Sequence, residues 1–283
     1  MLDPRVTPAR PDLAAAHLKG KVEATRFVEG RHAIIVAPIA EMQSRPAPDA
    51  PLETQLLYGD GVMIYEERDG WSWVQQAYEG YVGYLRSEAL GAPQDSTHAS
   101  YHRVNALRTH AYPGPSIKLA PVFALSLGSR VSILDRSGEF LIAAQGRHFW
   151  ARHFASAETA EDDIVGVAEM FLHAPYLWGG CTSEGVDCSG LVQAAFTAGG
   201  IWTPRDSDMQ EKRLGDALPA EAVLKRGDLV FWKGHVGVMR DAEALLHANG
   251  FHMAVVSEPL AAARARIAAS GGGEITSIRR LVI

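Results

Sequence analysis

The rhythm of hydrophobic and polar positions changes along this chain. Over residues 33–90 the apolar residues fall in short runs, each closed by a turn signal. Ile34-Ile35-Val36 and Gln55-Leu56-Leu57-Tyr58 precede the turn Gly59-Asp60-Gly61, and Val62-Met63-Ile64-Tyr65-Glu66 leads to Arg68-Asp69-Gly70. Trp71 to Ala77 then alternates aromatic and polar residues, and Gly80-Tyr81-Val82-Gly83-Tyr84-Leu85 closes the set. Short strands between closely spaced turns predict a small β-barrel over residues 33–91. Residues 100–155 repeat the rhythm more loosely. Gly128-Ser129-Arg130-Val131-Ser132-Ile133-Leu134-Asp135 echoes Gly59 to Glu66, and Ser137-Gly138 takes the place of Asp69-Gly70. A second barrel is expected there, joined to the first by a linker at Ala92 to Thr97.

Residues 1–32 read as an arm with one short helix, Pro11 to Lys19, opened by a proline and stopped by Gly20. From about residue 160 the pattern becomes helical. Ile164, Val167, Ala168 and Phe171 share one face of a helix expected over Glu161 to Leu172, which Pro175 limits. After the loop Trp178-Gly179-Gly180, a second helix is expected from Cys188 to Ala198, with Leu191, Val192, Ala195 and Phe196 on its apolar side and Gly199-Gly200 as its stop. Strands are expected at Asp228 to Trp232, Val236 to Met239, Ala244 to His247, Met253 to Ser257 and Ile275 to Ile283. Helices followed by antiparallel strands make residues 160–283 an α+β domain.

Charge narrows the partners. The 283 residues carry a net charge of −6, with no basic patch of the kind that binds nucleic acid. No apolar run is long enough to cross a membrane. The first residues contain an early aspartate and two prolines rather than a basic stretch before an apolar one, so no secretory signal is expected there and a cytoplasmic location is. Two cysteines, Cys181 and Cys188, exclude a disulfide scaffold and give no ground for a metal or other cofactor. Nothing in the pattern specifies an oligomeric state.

Cys188 is the residue with chemistry to offer. It opens a predicted helix, where unsatisfied N–H groups and the helix dipole favour a thiolate. Two histidines lie downstream on apolar strands: His235 in Gly234-His235-Val236-Gly237 and His247 in Leu246-His247-Ala248. If these strands form a hairpin, both rings reach one face. His235 then serves as the base for Cys188, and His247 orients it. The amide of Cys188 or Ser189 would donate to an oxyanion. Taken singly, each residue also reads as ordinary core, a small buried thiol or a satisfied histidine; their combination is what points to catalysis.

The motifs also resemble a known family. Pro175-Tyr176-Leu177-Trp178-Gly179-Gly180, Asp187-Cys188-Ser189-Gly190-Leu191-Val192-Gln193, Pro204-Arg205-Asp206-Ser207, Gly227-Asp228-Leu229-Val230-Phe231-Trp232, His235-Val236-Gly237-Val238 and His247-Ala248 resemble the NlpC-type cell-wall cysteine peptidases, in that family's order. Upstream, Gly70-Trp71-Ser72-Trp73-Val74 and Gly80-Tyr81-Val82-Gly83-Tyr84 resemble bacterial SH3-like domains. The resemblance implies a papain-like α+β fold preceded by two SH3-like barrels. It also implies hydrolysis of the bond between γ-D-glutamate and a diamino acid, meso-diaminopimelate, in murein tripeptides or tetrapeptides. Carried over by motif, Cys188 is the nucleophile, His235 the base and His247 the third polar residue.

Family members with this layout act on small peptides with a free N-terminal L-alanine, in peptidoglycan recycling. Substrate-binding roles then fall on Asp187 and Ser189, on Ser207, and on Tyr81 and Glu53 from the first barrel. A carboxylate such as Asp187 suits a terminal ammonium. Bland roles stand beside these: Asp187 as a helix cap, Ser207 as the cap of a short helix at Asp208-Met209-Gln210, and Tyr81 as barrel packing. Two other functions fit the same residues: a related amidase or acyltransferase, and a wall-peptide binding module with a silent catalytic domain.

Overall fold

The computed structural model describes residues 2–93, 100–219 and 221–281, the side chain of Gln145 excepted. Most of the expected linker, residues 94–97, and the last two residues of the expected final strand therefore lie outside the described residues. The chain divides into two compact units, one ending at Glu158 and the other beginning at Thr159.

The arm of the first unit is not helical where a helix was expected. Leu13–Ala15 forms strand β1, paired in parallel with β2 (Arg26–Val28), and only Ala16–Leu18 makes a single 3-10 turn. The reason is burial on every side. Leu13, Ala14 and Ala15 are all fully buried, which suits a covered strand better than a short helix with one apolar stripe, and so short a helix nucleates poorly.

Seven strands follow: β3 (Arg31–Ile35), β4 (Ile39–Gln43), β5 (Leu52–Leu57), β6 (Gly61–Arg68), β7 (Trp71–Gln76), β8 (Val82–Arg86) and β9 (Leu90–Gly91). They pair in the order β5-β4-β8-β7-β6-β3-β9 around a core that includes Ile35, Met42, Leu56, Val74 and Leu85. Seven more repeat the arrangement: β10 (Ser100–Val104), β11 (Arg108–Tyr112), β12 (Phe123–Ser126), β13 (Arg130–Ser137), β14 (Phe140–Ala143), β15 (Arg147–Trp150) and β16 (Phe154–Ser156). Their order is β12-β11-β15-β14-β13-β10-β16, the first order displaced by seven. The likeness reaches single residues. β6 bulges between Ile64 and Glu66, and β13 bulges between Ile133 and Asp135, the positions that the Gly59–Glu66 and Gly128–Asp135 stretches align. A bulge sharpens the local twist that curls a sheet into a barrel. The two sheets meet where the Arg130 amide donates to the Tyr58 carbonyl at 2.8 Å and Tyr58 stacks on Phe123.

The second unit begins with α1 (Ile164–Glu169), capped by Asp163, whose carboxylate accepts from the Gly166 amide at 2.9 Å. The helix is shorter than expected at both ends. A two-strand ribbon, β17 (Cys181–Thr182) and β18 (Gly185–Val186), precedes α2 (Cys188–Ala198) and α3 (Ser207–Arg213). Leu191, Val192, Ala195 and Phe196 are each at most 1% exposed, so the apolar stripe of α2 is buried as the spacing required.

A six-stranded sheet completes the unit. Its strands are β19 (Asp216–Ala217), β20 (Leu229–Trp232), β21 (His235–Met239), β22 (Ala244–Asn249), β23 (Ala254–Pro259) and β24 (Ser277–Arg280), in the order β19-β24-β20-β21-β22-β23, every pairing antiparallel. Helix α4 (Leu260–Ala269) leaves directly from β23, and its Ala263 packs with Val230, Trp232, Met239 and Leu245 on one face of the sheet. The α+β expectation needs correction for the chain as a whole. Among the described residues most elements are strands, and the four α-helices are confined to the second unit, because both barrels are built from period-two strands with only single 3-10 turns between them.

Candidate active site

The site is organised from Asp187 outward. In extended backbone just before α2, its Oδ1 accepts the Gly190 amide at 2.7 Å and caps the helix, while its Oδ2 accepts the Gly179 amide at 2.9 Å. Arg205 pairs with it bidentately, Nη1 to Oδ1 at 3.0 Å and Nη2 to Oδ2 at 2.6 Å. The Ser189 hydroxyl joins the same cluster, donating to Asp187 Oδ1 at 3.2 Å and accepting from Arg205 Nη1 at 2.9 Å. Arg205 is 1% exposed and Asp187 7%, so this is a buried ion pair with its hydrogen-bonding capacity well used. Gly190 is required by a close approach: a Cβ there would sit 2.1 Å from the Gly180 carbonyl oxygen. The first turn of α2 is thus pinned to the glycine loop and to Arg205.

That turn presents Cys188. Both cysteines are free thiols. The N–H groups of Ser189 and Val236 face the sulfur and lower its pKa, as a helix start was expected to do. They do not prevail. Burial first, and the Asp187 carboxylate second, push the thiol up to about 12. The resting nucleophile is a protonated thiol that needs a base.

His235 opens β21, next to the Val236 amide that faces the sulfur. The residue as a whole is half-buried, and its Nε2 lies 2.8 Å from Nδ1 of His247. This leaves Nδ1 of His235 as the nitrogen that can serve the thiol. His247 is fully buried on β22. Gly237 makes room for it, since a Cβ there would lie 2.7 Å from Leu245 Cδ1 and 3.1 Å from His247 Cβ. Beyond His247 the chain of contacts continues. Its Nε2 is 2.8 Å from Glu258 Oε1 and 3.0 Å from Asn249 Nδ2, and Arg266 from α4 donates to the same Glu258 oxygen.

Burial, reinforced by the neighbouring His247 and Arg266, pulls His235 down to about 3, and burial lowers His247 too. Both rings are neutral at pH 7, the form a base requires. The sign of the stability effect follows. The unfolded histidine takes a proton near 6.5 while the folded one refuses it, so stability is full above pH 6.5 and falls as pH drops toward 3. For His235 the loss between pH 7 and pH 5 is about 2 kcal/mol. Urea denaturation at the two pH values checks it; equal stabilities would contradict a buried neutral pair.

Tyr176 is a site residue that the sequence reading quoted only as part of a motif. Burial, then the charges of Cys188 and Asp187, push its phenol up to about 12. A phenol that keeps its proton meets those charges as a neutral hydroxyl, able to donate. Arg205 stands in the Pro204–Ser207 motif, and its burial against Asp187 leaves no mark in the local sequence. Asn249 follows His247 at the period-two spacing of a strand face. Glu258 carries no local signal.

Residues 173–267 match the NlpC/P60 family, and residues 43–90 match the bacterial dipeptidyl-peptidase Sh3 domain. The C-terminal unit is an NlpC/P60 cysteine-peptidase domain. The chain is 26% identical to dipeptidyl-peptidase 6 of Lysinibacillus sphaericus over 243 residues, covering 77% of this chain and 88% of that protein. It is 30% identical over 202 residues to a gamma-D-glutamyl-L-lysine dipeptidyl-peptidase of Bacillus cereus, covering 64% of this chain and 60% of that one. An NlpC/P60 family protein from Bacillus cereus of known crystal structure, 23% identical, superposes with a TM-score of 0.75 over 89% of this chain and all of that one. That likeness carries the fold, papain-like with an antiparallel sheet and few helices. The chain is therefore a peptidase-family hydrolase with an SH3-type domain in front.

The remaining expected site residues are more dispersed. Ser207 is the first residue of α3, not its cap, a position taken by Asp206. Gln210 of the same helix donates to the Ser189 carbonyl at 2.9 Å and so ties α3 to the start of α2. Tyr81 and Glu53 belong to the first unit: Tyr81 is 3% exposed within the barrel core, and Glu53 is half-buried on β5.

Proposed function

We propose that this NlpC/P60 domain hydrolyses the bond between γ-D-glutamate and meso-diaminopimelate in murein tripeptides or tetrapeptides that carry a free N-terminal L-alanine. The observation that carries the chemistry is the 2.8 Å bond from His235 Nε2 to His247 Nδ1, which leaves the other nitrogen of His235 outside that bond, on the strand whose Val236 amide faces the Cys188 sulfur. On substrate attack the thiol proton passes to His235 Nδ1 and the sulfur adds to the γ-carbonyl. The tetrahedral intermediate expels the diamino acid amine, which takes the proton from His235. Water, deprotonated by the same ring, then releases L-alanyl-γ-D-glutamate from the thioester. The names of two relatives support γ-D-glutamyl specificity.

Recognition of the free amine is assigned to Asp187, Ser189 and Ser207, with Tyr81 and Glu53 from the first barrel. Asp187 meets an ammonium as a carboxylate already paired with Arg205. A requirement for a free amine fits recycled peptides rather than intact wall, and we assign the enzyme to the cytoplasm on that ground. N-acetylation of the tripeptide is expected to lower kcat/KM at least about 100-fold, with intact sacculi left uncut. Equal turnover of blocked and free peptides would remove the amine-recognition argument. A second reading, L-lysine in place of diaminopimelate, is favoured by the names of two relatives, both gamma-D-glutamyl-L-lysine dipeptidyl-peptidases; parallel assays of the two peptides separate them.

A further inference from the structure

We propose that Glu258 is the positioning residue that sets the tautomers of both histidines, so that the nitrogen offered to Cys188 is the one without a proton. The inference rests on the cysteine-peptidase reading of the site and extends it two residues beyond His247.

A guanidinium can only donate, and Arg266 donates to Glu258 Oε1, so that oxygen is an acceptor. His247 Nε2 lies 2.8 Å from the same oxygen and therefore carries its proton. A neutral imidazole has one N–H, which leaves Nδ1 of His247 as an acceptor. His235 Nε2 is 2.8 Å away, so it holds the donor proton of that bond. Nδ1 of His235 is then the bare base. When it takes the thiol proton, the imidazolium keeps its Nε2–H bond to His247, with the Glu258 charge at the far end. No proton has to move along the chain, and Glu258 touches neither sulfur nor substrate.

A competitor makes the carboxylate necessary. The Asn249 Oδ1 accepts the His252 amide at 2.9 Å, which fixes the side-chain amide with Nδ2 pointing at His247 Nε2, 3.0 Å away. A donor there favours the opposite tautomer of His247. Each proton in the chain would then shift to the other nitrogen, and His235 would turn an N–H toward the thiol. Two opposed partners compete for one nitrogen, and the charged acceptor wins over the neutral donor. Sheet register provides the geometry. Glu258 pairs directly with Leu245, which makes it the diagonal neighbour of His247 on the same face. Pro259 then ends β23, and α4 brings Arg266 back over the carboxylate.

Imidazole ¹⁵N NMR of the full chain, without substrate, is the test. In the wild type both His235 and His247 are expected as Nε2–H tautomers; an Nδ1–H form of either overturns the proposal whatever the variants do. Glu258→Ala is expected to convert both rings to Nδ1–H and to lower kcat about 100-fold or more, with KM changed less than about threefold. Adding Asn249→Asp places a new acceptor at His247 Nε2 and is expected to restore the Nε2–H forms and at least about tenfold of the lost kcat. A purely structural glutamate would not be rescued from that position. Loss of kcat with the tautomers unchanged would also refute the assignment. Because the wild-type spectrum needs no substrate, a correct tautomer pair in a protein that cleaves no γ-glutamyl peptide would refute the proposed substrate and leave the relay standing.

Discussion

Cys188→Ala is expected to lower kcat/KM by about 10⁴-fold or more while the melting temperature stays within about 3 °C of wild type. The first half follows from covalent chemistry: without the sulfur, nothing at the start of α2 can form the thioester. The second follows from packing. Cys188 is 8% exposed and the change removes one small atom, while the capping carboxylate and the Arg205 pair that hold the helix start are untouched. Turnover by the alanine variant at a rate near wild type would show that another group does the chemistry. A collapse of the fold would show that the thiol is a core residue first. Steady-state kinetics and a thermal melt on the same sample decide between these.

Arg205→Ala carries the largest expected effect on stability, a loss of about 3–5 kcal/mol. It would strand Asp187 with its charge buried and leave Ser189 without one of its partners. The thermal midpoint of the catalytic unit should fall by about 10 °C or more. Arg205→Lys should recover little, since one ammonium cannot reproduce the bidentate fork. Activity should fall in both variants, because the pinned turn is the one that presents Cys188. Calorimetry checks it, and a shift of under 2 °C would contradict a stabilising role for the pair.

The catalytic elements were legible where a short-range pattern reports them. The apolar stripe of α2, the Gly199 stop and the strands around His235 and His247 follow from period and punctuation, and so do the strands after Gly61 and Gly128. What failed to show was set by tertiary context. Leu13-Ala14-Ala15 resembles a helical turn until its burial on all sides is known. Along helix α4 only Ala263 is fully buried, with Leu260 and Ile267 partly buried beside it, and the alanines around the helix blur that stripe, so a search by periodicity passes over it although alanine, leucine and arginine favour helix. The thiol was expected to be acidified by its helix, yet burial decides its state, and burial depends on everything packed around it. Glu258 and Arg266 meet His247 through sheet register and a returning helix, neither of which leaves a mark in the local sequence.

The Cys188 centre is proposed to cut the γ-D-glutamyl bond of a free murein peptide. Incubation of the purified chain with L-alanyl-γ-D-glutamyl-meso-diaminopimelate, followed by mass spectrometry of the products, tests it most directly. The wild type is expected to yield L-alanyl-γ-D-glutamate and free diaminopimelate, and Cys188→Ala to leave the peptide intact. Intact peptide from the wild type, or release of alanine alone, would contradict the proposal.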